Sequence, residues 1–157
     1  MQNSTAQALA EQFAMLNRNI IAWVEGCPDA LWQRDCGDDT RTAGVVAHHI
    51  ASSYLPISQL AGLVANGQPL PTLTEEMFHQ GNAQHVATFA GCTQTQVRDL
   101  LVANGETAIT MISQLSQDQL AREAHFSLFG ATVSTQTLIE NMLIGHASNH
   151  FASIQAA

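Results

Sequence analysis

Four long stretches of the chain carry apolar residues at alternating steps of four and three, the spacing that lines one face of an α-helix. Leu9, Phe13, Leu16, Ile20 and Trp23 form the first stripe. Ser4 or Thr5 is placed to cap it, and Gly26-Cys27-Pro28-Asp29 ends it, because glycine tolerates a left-handed terminus and Pro28 cannot extend the hydrogen-bond ladder. The stretch on to Thr40, with Trp32, Arg34 and Gly37-Asp38-Asp39, reads as a loop. A second helix is expected from Thr40 or Thr42, with Val46, Ile50, Ser53, Ile57, Leu60 and Val64 facing inward and Asn66-Gly67-Gln68-Pro69 closing it. Pro56 lies inside that stripe, removes a backbone donor and crowds the Ser52 carbonyl, so a kink is expected there.

The third stripe is Val97, Leu101, Asn104, Ala108, Met111 and Leu115, with Thr93 as its cap. The fourth is Ile139, Leu143, His146, His150 and Ile154. Four such stripes predict an all-α fold, a four-helix bundle forming a single domain over residues 1–157. The interval between the second and third stripes holds a weaker amphipathic piece, Glu75 to Phe89, which reads as an additional short crossover helix. The segment from His125 to Val133 suits a short turn or hairpin around Gly130.

Composition narrows the class. The chain has 157 residues, a formal charge of −8 and 46% hydrophobic residues. A chain of that length buries roughly 70% of its unfolded surface and needs neither disulfide nor structural metal to fold. No apolar run reaches the ~18 residues of a membrane span. The basic residues are five scattered arginines, Arg18, Arg34, Arg41, Arg98 and Arg122, which argues against a nucleic-acid partner. Cys27, Cys36 and Cys92 lack C-x-x-C spacing, and Met1-Gln2-Asn3-Ser4 does not resemble a signal peptide, so reduced thiols in the cytoplasm are the expectation.

The fourth stripe differs from the others in chemistry, because His146 and His150 occupy positions that carry aliphatic or aromatic groups elsewhere. Residues four apart on a helix lie one above the other, so both rings can converge on one ion. In the second helix His49 falls beside the inner face, three after Val46 and four before Ser53, while His48 is turned toward the flank. Three imidazoles aimed into one bundle interior would be costly without a common partner, and a divalent cation satisfies all three. Zinc, nickel, iron and manganese all accept imidazole, and three protein ligands leave a coordination position open, as in catalytic sites. His79 and His85, six apart, share no helix face, and with His125 they read as surface or rim residues. The cysteines read as buried or inert thiols.

At these residues the chain resembles the DinB-like superfamily of bacterial four-helix proteins, which includes the bacillithiol transferases of the YfiT type and the mycothiol-dependent maleylpyruvate isomerases. The resemblance rests on a Trp in the first helix followed by a Trp-containing loop, on Thr42-Ala43-Gly44-Val45-Val46-Ala47-His48-His49-Ile50, on the third helix ending Gln114-Leu115-Ser116-Gln117-Asp118-Gln119-Leu120, and on His146-Ala147-Ser148-Asn149-His150. It implies a divalent metal, zinc or nickel foremost, on His49, His146 and His150, and a low-molecular-weight thiol as co-substrate of an S-transferase. Such a thiol carries carboxylates, and Arg34 or Arg41 in the loop before His49 would pair with one. Trp32 with Met77, Phe78 or Phe89 would wall an apolar pocket over the metal. The alternatives are a metal-dependent hydrolase, a non-enzymatic stress-related binding or dimerisation module, and a metal-free bundle with a small apolar pocket. A small-molecule ligand and a homodimer are the expected partners.

Overall fold

The computed structural model describes residues 4–36 and 41–157. Gly37, Asp38, Asp39 and Thr40, assigned above to a loop and a possible helix start, and the N-terminal Met1, Gln2 and Asn3 lie outside the described residues.

Helix α1 spans Thr5–Gly26, and the Ser4 hydroxyl accepts the Gln7 amide at its N-terminus. Cys27 is extended, and Pro28 opens a single helical turn, α2, at Asp29–Trp32. This turn replaces part of the expected loop: Pro28 is a poor continuation of α1 but sits well just before a new helix start. Helix α3 runs Ala43–Ala65 from a Thr42 cap and continues unbroken through Pro56. Backbone bonds from Ala43 N to Arg34 O and from Cys36 N to Arg41 O tie the two flanks of the preceding loop together.

The crossover helix α4, Glu75–Phe89, starts at Thr74 and buries no side chain. Helix α5, Gln94–Ser113, begins with a reciprocal capping box between Thr93 and Gln96. It ends earlier than the sequence reading had it. Ser116 and Gln119 form a second capping box that opens a separate short helix, α6, Gln117–Ala121. An N-cap side chain at Ser116 competes with helix continuation, so the chain turns there.

Strands β1 (Glu123–Phe126) and β2 (Ala131–Ser134) pair antiparallel, with Glu123 opposite Ser134 and Phe126 opposite Ala131. The hairpin turns at Gly130, whose φ of 58° is a conformation side chains resist. His125 lies in β1 and not in the turn. The last helical run is built from α7 (Thr135–Leu138), a π-helical segment Ile139–Gly145 and α8 (His146–Gln155). The expected four-helix bundle is therefore present as α1, α3, α5 and the α7–α8 run, with α1 and α3 packed on α5 and α3 on α8.

The buried line of α1 passes through Ala6, Ala10, Phe13, Asn17, Ile20 and Val24. A polar residue thus takes the place expected for Leu16, which is only partly buried. Asn17 is tolerated because both ends of its amide are used: Tyr54 OH of α3 donates to its Oδ1 at 3.1 Å, and its Nδ2 donates to Leu101 O of α5 at 3.0 Å. Phe13 meets the Tyr54 ring edge to face at 4.8 Å. Burial pushes the Tyr54 hydroxyl pKa up, so the phenol stays neutral and keeps donating. Three helices are joined through this one amide, and Gly105 makes room for it: a β-carbon there would stand 2.2 Å from Asn17 Nδ2.

Asn17→Leu is expected to cost about 1–3 kcal/mol by leaving the Tyr54 hydroxyl buried without an acceptor. Gly105→Ala should cost about as much through overpacking, and in an Asn17→Ala background that cost should largely vanish. Urea midpoints of Asn17→Leu, Asn17→Ala, Gly105→Ala and the Asn17→Ala/Gly105→Ala double variant measure both effects; additive losses in the double variant would show that the two positions do not compete for space.

Candidate metal centre

His49 stands in the second turn of α3, where every neighbour from Ala43 to Ile50 is buried and His49 alone is half-buried. His146 is the first residue of α8 and His150 follows one turn later. The fully buried line of α8 is Ala147 and Ile154, with Phe151 nearly so, which leaves His146 and His150 half-buried at the edge of the core and not in its interior as the stripe implied. The reason is local: the small Ala147 lets α8 approach its neighbours, and the bulkier imidazoles are turned toward α3 and the outside. Gly145 closes the π-helical segment, and a β-carbon there would sit 3.1 Å from Glu140 O. The wider π turn before His146 is a local irregularity of the kind that clusters at functional sites.

The three rings meet. His49 Nε2 and His146 Nε2 are 3.1 Å apart. Ring centroids are separated by 5.0 Å for His49–His146, 4.9 Å for His49–His150 and 4.5 Å for His146–His150, all steeply inclined to one another. One nitrogen from each ring lies within 4.8 Å of the other two. Two imidazole nitrogens on one tetrahedral zinc stand about 3.3 Å apart, given bonds of about 2.0–2.1 Å. The donor set therefore fits a divalent cation with small rotamer adjustments. His146 Nδ1 is buried with no hydrogen-bond partner among the described residues, so a proton is not needed there by any neighbour.

Electrostatics prepare the rings as ligands. Burial holds His49 far below the usual imidazole range, at about 3, helped by His146, His150, Arg41 and His85. Burial likewise lowers His146 to about 4, with His150 and Arg41 contributing. Near neutral pH both are uncharged and present lone pairs, the form a metal requires. Arg41, fixed just before the Thr42 cap, is the arginine whose charge reaches these rings. Arg34 is exposed, and its Nη1 donates to Ala157 O at 3.4 Å.

Two histidines were assigned too little by spacing alone. His48 is turned toward α4 and is buried there: it is 4% exposed, and its Nδ1 lies 2.8 Å from His85 Nε2. His85 is half-buried and stands against His49 with centroids 5.6 Å apart. Burial lowers its pKa to about 4, with His48 and Arg41 adding to the effect. The available signal was His85 and Phe89 at helical spacing i, i+4, which puts both on one face of α4; Phe89 stacks on His48 at 3.9 Å. His79 and His125 are exposed, as expected.

The apolar wall over the metal is not built as expected. Trp32 is buried beneath α3, its Nε1 donates to Cys92 O at 3.0 Å, and a methyl at Gly44 would come within 2.5 Å of its ring. It is a packing residue. Met77 and Phe78 are exposed, and only Phe89 reaches the histidines. All three thiols are buried, and desolvation raises the pKa of Cys27 and Cys92, which suits inert thiols. A cleft of about 720 Å³ opens beside His48, Phe89, Cys92 and Leu100, but none of the three converging imidazoles lines it.

No family model matches the chain, and no curated protein matches it in sequence. Among solved structures it is similar to YfiT from Bacillus subtilis, described as a probable metal-dependent hydrolase with an unusual four-helix bundle topology. The two share a TM-score of 0.79 at 13% identity, over 99% of this chain and 87% of the other. The chain thus has the four-helix fold of YfiT and carries a three-histidine group compatible with a divalent metal. Among the described residues no helix is long and apolar enough to cross a membrane.

In the metal-free chain, His49 and His146 bind protons more readily unfolded, near 6.5, than folded, at about 3 and 4. Their neutral form therefore supports the fold above about pH 6.5, and that support is lost progressively as pH falls toward 4. Urea denaturation of chelator-treated protein should show a midpoint that declines across this window, and a His49→Gln, His146→Gln variant should show a flatter decline. A midpoint independent of pH between 7 and 4 would contradict the burial of these rings.

Proposed function

We propose that the chain is a metal-dependent enzyme in which His49, His146 and His150 hold one divalent cation, zinc or nickel foremost, and that its reaction transfers a low-molecular-weight thiol to an electrophile. The observation that carries this reading is the convergence of three half-buried imidazoles, one nitrogen from each within 4.8 Å of the others, at the edge of the core. A cation held there supplies Lewis acidity that keeps a thiol as its nucleophilic thiolate near neutral pH.

The chain's residues supply the rest. Neutral His49 and His146 bring no charge of their own, so an anionic sulfur is not competing with carboxylate ligands for the cation. In this proposal Arg41, whose charge acts on His49 and His146, holds a carboxylate of the co-substrate. Arg34 lies against the last residue and is the weaker candidate for that role. In the transfer the sulfur forms a bond to the electrophilic carbon, the leaving group departs with its electron pair, and the thiol proton passes to solvent. The hydrolase description of YfiT favours a second reading, in which water takes the place of the thiol. The homodimer and the cytoplasmic setting belong to this proposal as well, and sedimentation of the purified chain reads the first.

Purified, untagged protein is expected to carry one divalent ion per chain by mass spectrometry, and His150→Ala to lose it while its helical circular dichroism persists. Loaded protein should accelerate conjugation of cellular thiols to a halo-aromatic or epoxide electrophile. His49→Ala should reduce kcat/KM on the order of 1,000-fold, since a bound cation contributes several kcal/mol to the transition state. Arg41→Ala should raise KM for a carboxylate-bearing thiol about tenfold with kcat little changed. Ester or amide hydrolysis without any thiol dependence would move the assignment to the hydrolase; protein that takes up no metal would end both.

A further inference from the structure

Helix α4 buries none of its side chains, so its own packing does little to fix it on the bundle. Rings do that instead. His85 Nε2 lies 2.8 Å from His48 Nδ1, and Phe89, one turn further along the same face, stacks on His48. This arrangement sets the His85 and His49 rings in a T-shaped pair, with centroids 5.6 Å apart and an interplanar angle of 76°. Its second nitrogen, Nδ1, is shielded from solvent and has no hydrogen-bond partner among the described residues. A buried imidazole nitrogen without a partner is costly, and here it occurs beside three rings that converge on a common point. His85 is thereby brought against His49, one of the three converging rings.

We propose that His85 is the ligand-binding residue of the open side of the three-histidine centre: its Nδ1–H donates a hydrogen bond to the small anion or anionic substrate atom bound there, and His48 is the positioning residue that sets this tautomer. The inference rests on the metal reading given above. The His48 Nδ1–His85 Nε2 contact admits either ring as donor; with the proton assigned to His48 Nδ1, a neutral His85 that accepts on Nε2 carries its own proton on Nδ1. A donor is what an anion requires. On this assignment the buried Nδ1 of His85 gains its partner when the centre holds a ligand.

Cobalt-loaded protein with azide as the probe tests this through visible absorption and needs no knowledge of the substrate. Wild-type protein should bind cobalt at one per chain and shift its spectrum on azide addition. His85→Ala should keep the cobalt stoichiometry and weaken azide at least about tenfold, the worth of one charge-assisted hydrogen bond. His85→Asn, whose side-chain amide offers a donor near the place of Nδ1, should recover part of the loss. His48→Phe should weaken azide less than His85→Ala, and the exposed His79→Ala on the same helix should change nothing. Azide affinity unchanged in His85→Ala, or cobalt lost together with azide in that variant, overturns the role given to His85 while leaving the three-histidine site standing. Failure of the wild type to bind cobalt overturns the metal reading itself and this inference with it.

Discussion

Three imidazole rings from two helices share a space in which neither His49 nor His146 can readily hold a proton as a cation. Desolvation and mutual repulsion both oppose protonation, and the nearby Arg41 opposes it further. The rest of the structure can be understood as what brings α3 and α8 close enough for that to happen and keeps them there. An imidazole on a solvated surface would titrate normally and separate from its neighbours; a fully interior one would have no open side.

The edge position has a structural origin. Ala147, Phe151 and Ile154 take the buried line of α8, and Ala43, Val46, Ala47 and Ile50 take that of α3. The small residues among them allow the helices to approach, while His49, His146 and His150 occupy the seam beside them. On the far side of α3, Tyr54 reaches Asn17 of α1, which reaches Leu101 of α5. Asn104 of α5 adds a second tie, donating to Ala51 O at 2.9 Å. Directional bonds of this kind fix the rotation of a helix about its axis more sharply than apolar packing alone. The turn of α3 that carries His49 is therefore held from behind.

Helix α4 completes the environment with little packing of its own. Its contribution passes through His85 and Phe89, which both contact His48, and His85 also stands against His49. The doubled His48-His49 pair consequently serves two directions: about 100° of helical rotation sends one ring toward α4 and the other toward α8. Residues that read as redundant in sequence hold separate positions because a helix rotates between them.

The stripe periodicity of α1, α3, α5 and α8, the caps at Ser4, Thr42 and Thr93, the turn at Gly130 and the pairing of His146 with His150 were legible in the sequence, because each depends on residues within a turn or two of one another. Other features were not. Asn17 in place of Leu16 in the core, Trp32 beneath Gly44, and His85 against His48 and His49 each depend on contacts between segments far apart in the chain, and helical spacing records which face a side chain is on without recording what lies opposite. The early end of α5 was written locally, in the Ser116–Gln119 capping box, yet Leu115 keeps the stripe's spacing beyond Ser113 and hid it. By itself the sequence determined the helices and the histidines available to one face of each; the tertiary structure decided which of those faces meet, since that follows from how side-chain volumes and buried polar groups are satisfied across helices and not along them.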